Sequence, residues 1–434
     1  MKILLVGDYP DDPRLGSGKV YHKLREEFVR LGHQCRVLLA PEMGRRPAAA
    51  RLRWLLGPLL AERAVARAFR RDGAYDVVDV ASAEGSVLGL RRRLRGLHGV
   101  ALVSRSHGLE HLNFRRMTDD HEWGLVSKPW HRRIWYPAAR MSQVALAARL
   151  ADRLIVLNAA DRDFAVRRGW KQPEGIDVIP HGVSQRFLDS APPPAVQSSD
   201  VRSSGVPSSG LPSSDDPMSA IPLSDVSTSD VAMCDSPTWD GPASDGRTAR
   251  GRGLLFCGSW DTVKGVDYLV EAMALLKDDA PPPRLTVLGP GLPEAAVLAA
   301  FPEAVRPLVT VVPRASEEVV MRHYREHDLL VMSSTYEGFG MVLVEAMSQR
   351  LPVVATSVGG VPALLGEGAG ILIPPRQPEA IAAAARRLLH DPALRRRLGD
   401  AGHDRVRGMS WTATAERTIE CYQAARGAAG ARAR

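Results

Sequence analysis

The sequence predicts an α/β protein of two parallel-sheet domains, and three observations carry that reading. The chain has 434 residues, more than one hydrophobic core accommodates. Short Val/Ile/Leu-rich runs alternate with amphipathic stretches in both halves, the pattern of strands covered by helices on both faces. Between the halves the composition changes abruptly, to 14 Ser and 9 Pro within residues 191–250.

In chain order, the first half reads as strands at 3–6, 35–39, 77–80, 101–104, 154–157 and 178–180, with a helix over 20–31 after the first. The opening apolar run stops at Asp8, short of signal-peptide length, so it reads as a strand. Residues 191–250 hide too little apolar surface to offset the entropy of ordering and read as a disordered linker or insertion. As a flexible chain such a segment spans about 40 Å. The second half reads as strands at 254–257, 285–288, 309–312, 329–332, 353–355 and 370–373. Its helices are expected at 266–276, 317–327, 341–350 and 378–390, with a terminal helix over 411–425. In sheets of this kind, ligands sit at the carboxyl ends of strands.

With 45% hydrophobic and 24% charged residues, the composition is that of a globular protein, neither fibrous nor wholly disordered. The net charge of +8 is uneven, with 33 basic against 21 acidic residues in 1–190 and 21 against 20 in 251–434. Cys35, Cys234, Cys257 and Cys421 lie far apart, without metal-ligand spacing, which fits a reducing compartment. No segment reaches the roughly 18 apolar residues that span a bilayer. A basic amphipathic stretch over 51–71 suits either a solvated helix packing its leucines inward or an anionic membrane surface, and Pro58 is expected to break it. Arg91, Arg92, Arg93 and Arg95 add to that charge. Nucleic acid is excluded as a partner because no interleaved aromatics or recognition helix accompany these residues.

The most informative segment runs from Ser333 to Met347, between a strand and a helix. Gly338 and Gly340 let the backbone approach a ligand, and the free N–H groups of the first helical turn favour a diphosphate. Glu337 and Glu345 stand with seven residues between them, and a carboxylate accepts hydrogen bonds from vicinal hydroxyls of a ribose or hexose. Equally, this spacing suits an acid pairing with the helix dipole plus a surface acid. Gly16-Ser17-Gly18 ahead of the first helix offers a second place for amides to meet phosphate. A Walker A reading of Gly18-Lys19 fails, because Pro13 stands where the leading Gly belongs and Val20 replaces Ser/Thr.

In its Glu-Gly-Phe-Gly context, the Glu337 to Glu345 pair resembles the signature of the retaining glycosyltransferases of GT-B family 4. The resemblance extends to Gly258–Gly265 with Asp267-Tyr268-Leu269, to Ile179-Pro180-His181-Gly182-Val183, to Pro352–Thr356 with Gly359-Gly360-Val361-Pro362, and to Ser410-Trp411. It covers both halves and skips the linker. The fold it implies is GT-B, two Rossmann-like domains facing across a cleft: an acceptor domain in 1–190 and a donor domain in 251–410, with helix 411–425 returning to the first.

Carried over residue by residue, the resemblance implies that Glu345 holds the nucleoside ribose. Glu337 would bind hydroxyls of the transferred sugar and stabilise charge near the anomeric carbon. Gly338, Phe339 and Gly340 would contact sugar and phosphates, Lys264 would neutralise the leaving diphosphate, and Gly16 and Gly18 would touch diphosphate or acceptor. His107 resembles the family's histidine near the sugar 6-hydroxyl. The family places an Arg beside the first Gly of the 258–265 loop; Ser259 stands there, so the loop is one cation short.

The implied reaction is sugar transfer from a nucleotide-diphosphate sugar to an acceptor hydroxyl with retention. The donor acts as co-substrate, without other cofactor and without metal, since no Asp-x-Asp element occupies a donor loop. The expected acceptor is a glycan or lipid-linked molecule, in the cytoplasm or peripheral on the inner membrane face. Alternatives are an inactive nucleotide-sugar-binding scaffold and a GT-B epimerase or phosphorylase of nucleotide sugars.

Overall fold

The computed structural model describes residues 1–12, 16–44, 50–94, 99–122, 124, 134–192, 253–366 and 368–433. It contains two six-stranded parallel sheets, each flanked by helices, as the alternating pattern predicts. The first comprises β1 (Lys2–Val6), β2 (Gln34–Leu38), β3 (Val77–Ala81), β4 (Ala101–Arg105), β5 (Arg153–Val156) and β6 (Ile176–Val178), ordered β2-β1-β3-β4-β5-β6. The second comprises β7 (Gly253–Cys257), β8 (Arg284–Leu288), β9 (Val309–Val312), β10 (Leu329–Met332), β11 (Val353–Thr356) and β12 (Ile371–Ile373), ordered β12-β11-β10-β7-β8-β9. β3, β4, β10 and β11 are buried at every position, which is why they read as largely apolar runs, broken in β3 by Asp79 and in β4 by Ser104 and Arg105.

In both sheets the chain builds outward on one side and then crosses to the other. The crossing falls between β1 and β3 in the first sheet and between β7 and β10 in the second. Loops at the carboxyl ends of such strands diverge and leave a crevice. The loop after β7 and the loop after β10, which carry the most distinctive sequence motifs, flank the second crevice.

The connections between the sheets run side by side. Val183 N–H donates to Met409 O at 2.8 Å and Val183 bridges Ser410. Helix Trp411–Ala433 then packs into the apolar cluster of the first sheet through Trp411, Ala415, Tyr422 and Ala425. It is pinned by a buried charge cluster, in which the Arg105 guanidinium donates to Asp79 Oδ2 at 2.7 and 2.9 Å and Tyr422 donates to the same oxygen at 2.5 Å. Burying the Asp79 carboxylate demands these partners.

Two local expectations change. Helix Ala50–Asp72 runs through Pro58 without a break. The lost hydrogen bond and steric clash cost about 3 kcal/mol, offset by burial of Gly57, Pro58, Ala61, Ala64, Val65 and Ala68. The leucines do not form its inward stripe, since Leu52 and Leu55 are 50% and 43% exposed. Gly16, Ser17 and Gly18 lie within the first helical turn, in helix Gly16–Arg30, rather than before it. Apart from residues 191 and 192, the Ser/Pro-rich segment lies outside the described residues, as do Cys234 and Arg95. Cys35, Cys257 and Cys421 are free thiols.

Candidate functional site

The loop after β7 is shaped by its own polar side chains. Asp261 caps the turn Thr262–Lys264, its Oδ1 accepting the Lys264 N–H at 3.0 Å. Ser259 donates to the other carboxylate oxygen at 2.6 Å. Gly265 closes the turn at φ +64°, and a Cβ there would lie 1.9 Å from Ser333 O, so only glycine fits. The loop is sewn to the one after β10: Thr335 N–H donates to Val263 O at 2.8 Å and Ser333 Oγ to Lys264 O at 2.9 Å.

This seam sets Lys264 against Glu337, with Nζ donating to Oε2 at 2.7 Å. Burial acts against the ammonium charge, but Glu337 and, after it, Asp261 outweigh that and hold the Lys264 pKa above its ordinary value. Helix Met341–Ser348 starts beyond Gly340 and buries Glu345 in its second turn. Lys19, from the first turn of helix Gly16–Arg30 in the other domain, donates to Glu345 Oε1 at 3.0 Å. Tyr324 donates to Oε2 at 3.3 Å. Both ammonium groups act on the thiol of Cys257 at the end of β7, so the two Lys–Glu pairs lie near one another at that strand end. Burial above all pushes that thiol up to about 12.

Between these pairs, the loop after β10 touches the first domain through its backbone. A Cβ on Gly338 would stand 2.8 Å from His107 O and 3.3 Å from the Gly108 Cα. Asn158, the cap of helix Ala159–Arg167, donates its side-chain amide to Gly338 O at 3.0 Å. Arg116 donates to Thr335 Oγ1 at 2.9 Å, and Arg376 pairs with Asp120 across the same junction. On the other side, the loop after β1 lies over the first helix, and a Cβ on Gly18 would meet Pro10 O at 2.8 Å. Gly16 has φ +35°.

The structure thus gathers Glu337, Glu345, Lys264, Gly338, Phe339, Gly340, His107 and the Gly16–Gly18 turn around one interdomain junction. Phe339 is buried edge-on against His181, with ring centroids 5.6 Å apart. Sequence reasoning weighed Lys19 only as a Walker A lysine, a reading that fails, and did not single out Tyr324 or Asn158. Lys19 left a signal, a cation beside a glycine-rich turn. Tyr324 and Asn158 left none, because a buried hydroxyl reveals its partner on a neighbouring helix, and a helix cap its partner in the other domain, only in three dimensions. Among the described residues, no group of three His, Cys, Asp or Glu side chains gathers in metal-binding geometry, and no helix is long and apolar enough to cross a membrane.

Chemically, the crevice can hold an anion and a polyol together. Two ammonium groups, each on a carboxylate, and two helix starts lie at this junction, and groups of both kinds favour phosphate charge. Two carboxylates stand ready to accept from hydroxyls.

Comparison with known proteins agrees with this architecture. The family described as Glycosyl transferases group 1 matches residues 245–405, and Glycosyltransferase Family 4 matches residues 16–186. Among curated proteins, a D-inositol 3-phosphate glycosyltransferase of Kineococcus radiotolerans is 37% identical over 191 residues, covering 40% of this chain and 44% of that protein. The chain spans about two-fifths of the length of the curated relatives it matches. Among solved structures, sucrose-phosphate synthase of Thermosynechococcus elongatus superposes with a TM-score of 0.68 at 19% identity, covering 98% of both chains. HepE of Anabaena, in complex with UDP, gives 0.62 at 16% identity, covering 97% of this chain and 99% of that one.

His107 and His181 meet at 3.4 Å between Nδ1 and Nε2, beneath Tyr9, Tyr21 and Trp411. Burial first, then His181 and Arg105, push His107 well below its ordinary 6.5; burial and Arg105 lower His181 to about 3. Both rings are therefore neutral at physiological pH, and His107 can meet a ligand hydroxyl as a neutral imidazole. Because these folded-state values lie below the unfolded ones, the stability they carry is complete above about pH 6.5 and is lost as pH falls towards the folded values. An NMR titration should find both rings still neutral where a free histidine is half protonated; protonation of either near pH 6.5 contradicts this packing.

Proposed function

Because the chain belongs to glycosyltransferase family 4 and has the GT-B fold, we propose that it transfers a sugar from a nucleoside-diphosphate donor to an acceptor hydroxyl, with retention at the anomeric carbon. The observation that carries this reading is the pair Glu337 and Glu345, held in one crevice with Lys264 and the start of helix Met341–Ser348. Glu345 takes the ribose hydroxyls of the donor. Glu337 accepts from hydroxyls of the transferred sugar and stabilises positive charge as it develops at the anomeric carbon.

The bond between the anomeric carbon and the diphosphate oxygen breaks, and the acceptor oxygen bonds the same face of that carbon. The departing phosphate oxygen takes the acceptor proton, so no side chain need act as base. Lys264 and the amides at Gly338, Phe339 and Gly340 carry the charge left on the diphosphate. Gly16 and Gly18 bring the first domain's helix start to the same anion, and His107 meets the sugar. This scheme assigns no step to a metal or further cofactor. Closing the two domains around the donor keeps water from competing as acceptor.

For the acceptor, we favour an anionic molecule, in keeping with the basic first domain. Curated relatives bear the name D-inositol 3-phosphate glycosyltransferase, which makes a phosphorylated cyclitol the first compound to try beside lipid-linked glycans. A specific surface favours work at an anionic bilayer. One face of helix Ala50–Asp72 carries exposed Leu52 and Leu55, and Ile134 and Trp135 are exposed on the nearby segment that Tyr136 joins to Trp54. The same helix face continues into a cleft of about 310 Å³ lined by Glu62, Arg63, Ala66, Arg67, Arg70 and Arg91. Apolar side chains beside arginines are what an anionic headgroup layer receives.

Two experiments test these proposals. Incubation with UDP-, GDP- and ADP-sugars should release the matching nucleoside diphosphate, and Glu337→Ala should lower turnover by roughly 10²-fold or more while the protein stays folded. Binding without turnover favours the inactive scaffold; a changed sugar still on its nucleotide indicates an epimerase. Phosphatidylglycerol vesicles should co-sediment the wild type and lose most of a variant with Leu52→Glu and Arg67→Glu; equal sedimentation of the two contradicts the membrane reading.

A further inference from the structure

We propose that Lys19 is a ligand of the donor diphosphate, supplied across the cleft by the first domain, making up the positive charge that Ser259 leaves out of the loop after β7. The inference rests on the donor-site reading above and adds a residue that neither the loop motifs nor the family signature designates.

Glu337, Glu345 and Asp261 line the crevice, and Lys264 is the one cation that the second domain's donor loop brings to them. Ser259 adds no charge and spends its hydroxyl on Asp261. Counted over the second domain's groups alone, three carboxylates stand against one ammonium, so a nucleoside diphosphate sugar, itself doubly negative, would meet net negative charge from that side. Lys19 corrects part of this. Its stem is largely buried, its Nζ lies 3.0 Å from Glu345 Oε1, and its charge acts on Cys257, the same thiol on which Lys264 acts. One ammonium from each domain therefore flanks the end of β7, where the diphosphate would lie between the starts of helices Gly16–Arg30 and Met341–Ser348.

The pairing with Glu345 also says what changes on binding. Ribose hydroxyls and Lys19 compete for the same carboxylate, of which Tyr324 holds the other oxygen. When the ribose takes Glu345, the flexible lysine stem lets Nζ move onto the phosphates, the stronger partner for a point charge. The exchange opens one interdomain ion pair and replaces it with an interdomain contact through the donor. A purely structural Lys19 would behave differently: removing it would free Glu345 and help every nucleoside-containing ligand alike.

Calorimetric titration separates these cases, using UDP, GDP and ADP, each beside its parent nucleoside. Lys19→Ala should weaken the preferred diphosphate by roughly tenfold or more while its nucleoside binds as well as before or better. Lys19→Arg should stay near the wild type. Ser259→Arg added to Lys19→Ala should recover most of the lost diphosphate affinity. Lys19→Ala changing diphosphate and nucleoside by the same factor, or changing neither, overturns the assignment of Lys19 alone. A wild type that binds none of the three diphosphates overturns the donor-site reading, and this inference with it.

Discussion

The backbone at Gly338 lies against the backbone at His107 and Gly108 with no room for a side chain, a Cβ there standing 2.8 Å from His107 O. This contact sets the width of the cleft where the loop after β10 meets the first domain. Glu337 stands immediately before it, and helix Met341–Ser348 with Glu345 begins three residues after it. Asn158 holds the Gly338 carbonyl, Arg116 holds Thr335, and Thr335 in turn holds the turn that positions Lys264. Moving this loop outward by the width of a methyl group would shift both carboxylates and both lysines relative to one another.

Electrostatics then decides what such a junction can be for. Two Lys–Glu pairs in a largely desolvated crevice are poor stabilisers, since the cost of taking four charges out of water roughly cancels their attraction. A protein that needed only to join two domains could use apolar packing here, as it does where Trp411, Tyr422 and Ala425 pack on the first sheet. Paired charges that can be exchanged for a ligand's charges and hydroxyls make sense of the cost. The neighbouring histidines fit the same logic: buried neutral, they add polar atoms to the junction without adding charge.

Much of the architecture was legible because parallel strands covered on both faces leave short, largely apolar runs, and all twelve strands can be placed approximately from such runs. Glu337 and Glu345 stand out because glycines surround them at a strand-to-helix turn, a pattern local enough to read. Helix Ala50–Asp72 misled because Pro58 argues for a break on local grounds, whereas the packing of Ala61, Ala64, Val65 and Ala68 against the sheet is a tertiary effect. Its Leu52 and Leu55 misled in the opposite sense, being apolar yet exposed. Lys19 and Asn158 could not be matched to their partners from sequence, because those partners lie in the other domain, with Lys19 and Glu345 separated by 326 positions; Tyr324 could not, because its partner stands on a neighbouring helix of its own domain.

On the proposed reading, one interdomain crevice holds a nucleoside-diphosphate sugar between two carboxylates. A crystal structure of the protein with the nucleoside diphosphate it binds best, and with that nucleotide's sugar, tests it most directly. The expected density places ribose hydroxyls on Glu345, phosphates at the starts of helices Gly16–Arg30 and Met341–Ser348, and the sugar against Glu337. Nucleotide bound elsewhere, or bound with both Lys–Glu pairs undisturbed, would contradict it.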